Sequence, residues 1–385
     1  MKILYDSFGF NEICGGVSRY FTQMIMHLPE SCDVCIAARV TCNKYLSEKP
    51  FSIPFSSNSF YNFLPGISFR GKWRLYSALM RALPPWSRSV ECQNKSESAK
   101  RIAQCDYDVL HLTGPHFVGD QWKVVRGKKP IVVTIHDLIP EKYGLLRGIR
   151  EKRAEILAAA SHVIAVSSVT KNELSQRYGV RDEKITVIHH GCPSGWPSHT
   201  AKEIADKRYI LFVGKRDGYK NFTIFICAVA KLLKEHEDLH VICVGCQFTR
   251  KELSLLSHLG VANKVKVFEA NESSLPSLYA NACCLVCPSD DEGFGLTIVE
   301  ALACGCPVVA SDIEVFHEVA DDSAMYFGVG DGDDLLNKVM TLIGSLNTRE
   351  TLGKLGQMRA KEFSWDECAR ATYDVYRKVL SEAYA

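Results

Sequence analysis

Pro288-Ser-Asp-Asp-Glu-Gly-Phe-Gly-Leu-Thr-Ile-Val-Glu300-Ala-Leu-Ala-Cys-Gly-Cys-Pro-Val-Val-Ala310 is the stretch whose reading decides the fold. Short apolar runs, Cys283 to Cys287 and Pro307 to Ala310, stand on either side and read as buried parallel strands. Between Glu292 and Glu300 lie two glycines and the start of a helix. The stretch is a strand, a glycine-bearing loop, a helix and another strand. In such a unit the loop and helix N-terminus receive an anion. Glu292 and Glu300, eight positions apart, add carboxylates that hold sugar hydroxyls. A diphosphate flanked by two polyhydroxylated rings, as in a nucleotide sugar, suits that combination.

Working outward, strand-like and helix-like runs alternate almost throughout, which argues for an α/β architecture with parallel sheets. The first half predicts strands near Ile3–Tyr5, Asp33–Ala37, Val109–Leu112, Ile131–Ile135, Val163–Val166 and Ile185–Ile188. Helices are expected after Gly16, around Ile149–Ala160 and around Val169–Tyr178. A Gly-, Pro- and Ser-rich stretch, His190 to His199, reads as a linker. A second series begins at Tyr209-Ile-Leu-Phe-Val-Gly214 and continues near Leu239–Val244, Val265–Phe268, Cys283–Cys287 and Val308–Ala310. Each half reads as a Rossmann-like doubly wound sheet. Neither carries G-x-G-x-x-G after its first strand, so a nicotinamide or flavin dinucleotide has no direct support. The expected domains are 1–195 and 196–363, with a final helix over 364–385 opened by an S-x-x-E capping box, Ser364 and Glu367.

The chain has 385 residues, 46% of them apolar and 23% charged, which fits two ordinary globular domains. No apolar run reaches the ~18 residues of a membrane span. Met1-Lys-Ile-Leu-Tyr-Asp6 reads as a first strand, not a signal peptide. A net charge of +2 makes no case for nucleic acid. The sixteen cysteines are read as free thiols of a reducing cytosol. Their C-x-x-C pairs, Cys32/Cys35, Cys243/Cys246 and Cys284/Cys287, lie in or beside strand-like runs. Strand residues i and i+3 point to opposite faces, which does not suit one metal. Residues 49–90 hold six Lys or Arg and no acid, with Trp73, Tyr76, Leu79 and Leu83 at helical spacing. Two readings stand: a helix packed on the N-terminal sheet with a solvated basic face, or one lying on an anionic membrane.

The E-x7-E spacing, ending in E-A-L-A-C-G-C-P-V-V-A-S, resembles glycosyltransferase family 4, most strongly over Tyr209 to Asp312. The resemblance implies the GT-B fold, two Rossmann-like domains facing across a cleft, with the C-terminal helix crossing back to the N-terminal, acceptor-binding domain. The C-terminal domain would bind a nucleoside diphosphate sugar donor. It also implies a retaining, metal-independent front-face transfer without a cofactor, in which the leaving phosphate helps deprotonate the acceptor. By this resemblance Glu292 binds the donor sugar and Glu300 the ribose. Gly293, Phe294, Gly295, Leu296 and Thr297 form the loop and helix start that approach sugar and phosphate. Gly214-Lys-Arg-Asp-Gly-Tyr-Lys-Asn221 resembles the diphosphate-gripping segment, with Arg216 and Lys220 as its cations and Lys215 a competitor for the first role. Cations there stabilise the leaving diphosphate without a metal. His136, in Ile135-His-Asp-Leu-Ile-Pro140, would meet the donor sugar near the reacting carbon, and Asp137 would orient the loop or the acceptor. Gly15 and Gly16 resemble the first glycine-rich loop, and Arg19 is a candidate for acceptor or phosphate.

The acceptor implied is a glycan, or lipid-linked glycan, of lipopolysaccharide, capsule or exopolysaccharide synthesis. The place implied is the cytoplasm, at the inner face of the membrane, with peripheral contact through residues 60–90. Mannosyl transfer from GDP-mannose is one expectation for the donor. The rival readings are a nucleotide-sugar epimerase, a phosphorylase, or a non-catalytic sugar-nucleotide-binding protein. Asp331-Gly-Asp333 imitates a D-x-D metal site but precedes an apolar helix, so helix capping is the simpler reading. Ser167-Ser168 lacks the G-x-S-x-G context of a serine hydrolase.

Overall fold

A computed structural model describes the chain except for residues 14, 48–49, 58, 60–70, 82–88, 115–119, 146–147, 193–195, 197–207, 217, 269–273 and 385. It divides into two compact units, Met1–Gly191 with Trp365–Ala385, and Cys192–Ser364. Most of the stretch read as a linker lies outside the described residues.

The first unit is built on β1 (Lys2–Tyr5), β2 (Asp33–Ile36), β3 (Val109–Leu112), β4 (Ile131–Ile135), β5 (His162–Ala165) and β6 (Ile185–Val187). They form one parallel sheet in the order β2-β1-β3-β4-β5-β6. Every residue of β3, β4 and β5 is buried, as expected of strands covered on both faces. Two histidines sit inside this sheet because their ring nitrogens find hydroxyls. His111 bonds Tyr376 Oη at 2.6 Å and Thr134 Oγ1 at 2.8 Å, and His162 bonds Thr186 Oγ1 at 2.8 Å. Burial pushes their imidazoles down, to about 3 for His111 and about 4 for His162, where the charges of Lys378 and Lys184 add to it.

The C-terminal helix Trp365–Tyr384 belongs to this unit, and Tyr376 Oη also meets Tyr5 Oη at 2.6 Å. Its entry is close-packed: a Cβ on Gly191 would lie 2.3 Å from the Trp365 backbone nitrogen. The helix Val90–Gln104 was not expected. Its buried positions Val90, Asn94, Ser98 and Ile102 recur every fourth residue, but two of them are polar. Asn94 and Ser98 stay buried by bonding the backbone of residues 37–40.

In the basic segment a helix does form, Lys72–Arg81, but the expected apolar stripe is not buried as one face. Tyr76 is 2% exposed and its hydroxyl donates to Glu91 Oε2 at 3.1 Å, while Leu75 and Leu79 are 45% and 47% exposed. The side chain of Trp73, and Leu83, lie outside the described residues. No helix among the described residues is long and apolar enough to cross a membrane.

The second unit contains β7 (Arg208–Val213), β8 (Leu239–Val244), β9 (Val265–Phe268), β10 (Cys284–Cys287), β11 (Val308–Ser311) and β12 (Ala324–Phe327). Its parallel order is β12-β11-β10-β7-β8-β9. The chain leaves β7 toward β8 on one side and returns to β10 on the other. The crevice outside the carboxyl ends of β7 and β10 is thus the topological switch point, where ligands of open α/β sheets bind. Asp331 caps the helix Gly332–Gly344, its carboxylate accepting from the backbone N–H groups of Asp333 and Asp334. The described cysteines are free thiols.

Candidate functional site

Because β7 and β10 are neighbours, the loops that follow them meet. Gly214–Asn221 leaves β7 and Pro288–Gly295 leaves β10. Asp290 N–H donates to Tyr219 O at 2.8 Å, and Asn221 Nδ2 donates to Asp290 Oδ1. Asn221 caps the helix Phe222–Glu235 in the left-handed conformation, φ +51°, which Asn tolerates better than most residues. On this scaffold Lys220 Nζ pairs with Glu292 Oε1, and Ser289 Oγ donates to the same oxygen at 2.8 Å. The pair is not sealed in: 24% of the lysine and 16% of the glutamate side chain remain exposed. Burial alone would lower the Lys220 pKa, but the charge and hydrogen bond of Glu292 outweigh it and raise it, so the ammonium is charged at neutral pH.

Gly295 is the N-cap of the helix Leu296–Ala303, at φ +103°. A Cβ there would be strained, and would lie 3.2 Å from the Phe316 ring. No side chain caps this helix start. Phe294 is buried against Phe363, ring centroids 5.7 Å apart. Gly293, Leu296 and Thr297 are half-buried, and Thr297 Oγ1 lies 3.8 Å from Cys287 Sγ. Glu300, one turn further on, is only 2% exposed, and Tyr279 Oη donates to its Oε2 at 2.8 Å. Glu292 therefore reaches the surface of the unit, while Glu300 lies beneath it.

Gly214 ends β7 at φ +123°. Arg216 is engaged within the unit: Nε donates to Glu252 Oε1 at 2.6 Å and Nη2 to the carbonyls of Cys246 and Gln247 at 2.6 and 3.0 Å. Lys215 is exposed.

The remaining candidates lie in the first unit. Gly15 is extended, φ −176°, and caps the helix Gly16–Met26; a Cβ on Gly16 would meet nothing within 4 Å. The fold's own packing does not demand glycine at Gly16. Arg19, on that helix, is buried, 8% exposed. His136 follows β4 and sits among the rings of Tyr20, Phe21 and His190, at centroid distances of 5.0, 5.6 and 5.6 Å. Burial first, then the Arg153 charge, pushes its imidazole down to about 3, so it is neutral. Its Nε2 is buried with no hydrogen-bond partner among the described residues. Asp137 shapes the loop: Oδ1 accepts from Ile139 N–H at 3.0 Å, and its carbonyl accepts from Arg153 Nη1 at 2.5 Å. Arg153, 1% exposed, also pairs with Glu141 at 2.8 Å.

Several residues that build these sites escaped the sequence reading. Ser289, Asp290 and Asn221 lie inside the quoted motifs, but nothing in their spacing marks the bonds they make. Tyr279 and the Arg153–Glu141 pair carry no local signal. Glu252 did have one: Thr249-Arg-Lys-Glu252 is a capping-box pattern, and both of its bonds form.

Comparison with known proteins agrees with this architecture. The family description Glycosyltransferase Family 4 matches residues 14–194, and Glycosyl transferases group 1 matches residues 198–359. O-antigen chain mannosyltransferase RfbU of Salmonella typhimurium is 31% identical over 204 residues, 52% of this chain and 57% of that protein. The match thus spans little more than half of that relative. O-antigen chain mannosyltransferase B of Escherichia coli is 26% identical over 266 residues, 64% of this chain and 70% of that protein. Among solved structures, Anabaena Alr3699/HepE in complex with UDP and glucose superposes with a TM-score of 0.75 at 21% identity, covering 98% of this chain and 100% of that one. Two parallel six-stranded units, the E-x7-E loop at a switch point and family matches over both units lead to one statement: the chain belongs to glycosyltransferase family 4 and has the GT-B fold.

Proposed function

We propose that this protein is a retaining, metal-independent glycosyltransferase that moves a sugar from a nucleoside diphosphate sugar to a hydroxyl of a glycan acceptor. One observation carries the reading. Lys220 and Glu292 stand as a partly buried ion pair, still open to solvent, in the loops that leave the carboxyl ends of adjacent strands, at the switch point. A donor offers each member a better partner: its diphosphate takes the ammonium, and its sugar hydroxyls take the carboxylate. Lys220 then stabilises charge developing on the leaving diphosphate, and the uncapped start of the helix Leu296–Ala303 adds its N–H groups. Glu300 holds the ribose. In the first unit, neutral His136 offers its unpartnered Nε2 to the sugar near the reacting carbon, Asp137 sets the loop that carries it, and the bare backbone at Gly15 and Gly16 admits phosphate or acceptor, with Arg19 beside it. No protein nucleophile is required; positioning and charge stabilisation supply the rate.

Mannose is the sugar to test first, because two relatives are named O-antigen mannosyltransferases. The same names favour a lipid-linked surface glycan as acceptor, met at the cytoplasmic face of the membrane. The Lys72–Arg81 helix suits peripheral contact there, since it exposes Leu75 and Leu79 beside Arg74. The test is turnover of a panel of UDP- and GDP-sugars, with and without EDTA, and NMR of the product's anomeric configuration. EDTA-resistant transfer with retention is expected. Inversion would overturn the retaining mechanism, and no turnover of any donor would overturn the activity.

A further inference from the structure

In the unit that holds the Lys220–Glu292 pair, one further carboxylate is used twice. Glu252 lies in the first turn of the helix Arg250–His258. Its Oε2 accepts from the Thr249 N–H at 2.6 Å, and its Oε1 accepts from Arg216 Nε at 2.6 Å. Burial alone would raise the Glu252 pKa, but the bonds from Arg216 and Thr249 hold it below its usual value, so it is charged at neutral pH. Arg216 in turn bonds the carbonyls of Cys246 and Gln247 through Nη2, and its guanidinium lies 4.8 Å from the Phe248 ring centroid. Its side chain is only 5% exposed. Nη1 takes no hydrogen bond among the described residues, and it lies beside the backbone corner where β7 and β8 end. A Cβ on Gly245 would be 3.8 Å from Nη1 and 2.9 Å from Gly214 O. Both glycines there have positive φ, so two bare backbones and one guanidinium edge meet at a single point.

We propose that Glu252 is a positioning residue of the donor site: by dividing its oxygens between Thr249 and Arg216, it fixes the Arg216 rotamer and aims Nη1 at the Gly214–Gly245 corner, where it meets the donor diphosphate. The inference rests on the donor reading above. It turns the role of Arg216 from a free cation into a strut with one working edge. A lysine could not replace it, because a single ammonium cannot span a carboxylate, two carbonyls and a ligand. Arg216 and Glu252 act as one unit, so their substitutions must not add.

The experiment is calorimetric titration of UDP and GDP into the full chain and its variants, with thermal unfolding recorded for each. Glu252→Ala and Arg216→Ala are each expected to weaken nucleotide binding by about 10-fold. The double variant should also lose about 10-fold, not about 100-fold, because the two share one interaction. Glu252→Gln, which keeps one carbonyl acceptor, should fall between and carries the cycle if Glu252→Ala does not fold. Thr249→Ala removes the cap hydroxyl but leaves the backbone N–H that holds Oε2, and should stay within about 2-fold of the parent. Unchanged affinity in the Glu252 variants, or additive losses, overturns the inference and leaves the donor reading standing. Failure of the unsubstituted protein to bind either nucleotide overturns the donor reading, and this inference with it.

Discussion

The two units share a parallel six-stranded sheet but handle polar groups in opposite ways. In the first, histidines at the strands are neutral: His111 and His162 lie buried within the sheet on hydroxyl partners, and His136 sits at the end of β4 among rings. In the second, the groups at the strand ends are charged, largely buried and paired with one another, as Lys220 with Glu292 and Arg216 with Glu252. Ion pairs that a ligand can replace suit a diphosphate. Similar folds thus carry different chemistry because of what stands at the carboxyl ends of their strands.

Substitution of Glu292 presses hardest on this contrast. Glu292→Ala should lower kcat/KM for transfer by about 10³-fold or more, as measured by steady-state kinetics, with little change in thermal midpoint. Near-normal activity would remove Glu292 from the site. Acid probes the first unit instead. Its buried histidines have folded pKa values below the unfolded value, about 3 for His111 and His136 and about 4 for His162. The unfolded chain therefore binds protons first as pH falls. Stability from these groups is full above pH ~6.5 and should decline by about 1.4 kcal/mol per pH unit for each histidine toward pH 4. Chemical unfolding from pH 7 to 4 measures this, and ring-proton NMR should show these imidazoles neutral at pH 5. Gly295→Ala should cost about 1–2 kcal/mol by forcing a side chain into the left-handed region, read from the denaturation midpoint. Asp331→Ala, which removes a helix cap and no group of the proposed site, should cost about 1 kcal/mol of stability and leave turnover unchanged.

The contrast also explains what the sequence revealed. Strands such as β4 and β8 are mostly apolar, each with one polar residue, Thr134 and His240, and their limits match the expectation to the residue; β5 and β7 each begin one residue earlier than expected. β12 was missed because Ala-Met-Tyr-Phe, which follows Asp321-Asp322-Ser323, has no β-branched run. The helix Val90–Gln104 was missed because its buried face includes Asn94 and Ser98, which hydrophobic periodicity does not register. The Lys72–Arg81 helix was found by periodicity; of its apolar stripe Tyr76 is buried and Leu79 exposed, a difference that spacing alone does not register. In the second unit the site was largely visible because its motif is local, a strand, a loop and a helix in sequence. The bonds that shape it, Asn221 to Asp290 and Arg216 to Glu252, join residues 69 and 36 positions apart, and only folding brings them together. Around His136 the aromatic nest comes from Tyr20, Phe21 and His190, far apart in the chain, so the sequence showed the histidine without its setting.

The central claim is that the Lys220–Glu292 pair marks the seat of the donor diphosphate. Titration calorimetry of UDP and GDP against the parent protein and Lys220→Ala tests it most directly. The parent should bind at least one nucleotide, and the variant should lose about 10- to 100-fold in affinity, the scale of one charge-assisted contact. Equal affinity in both proteins would contradict it.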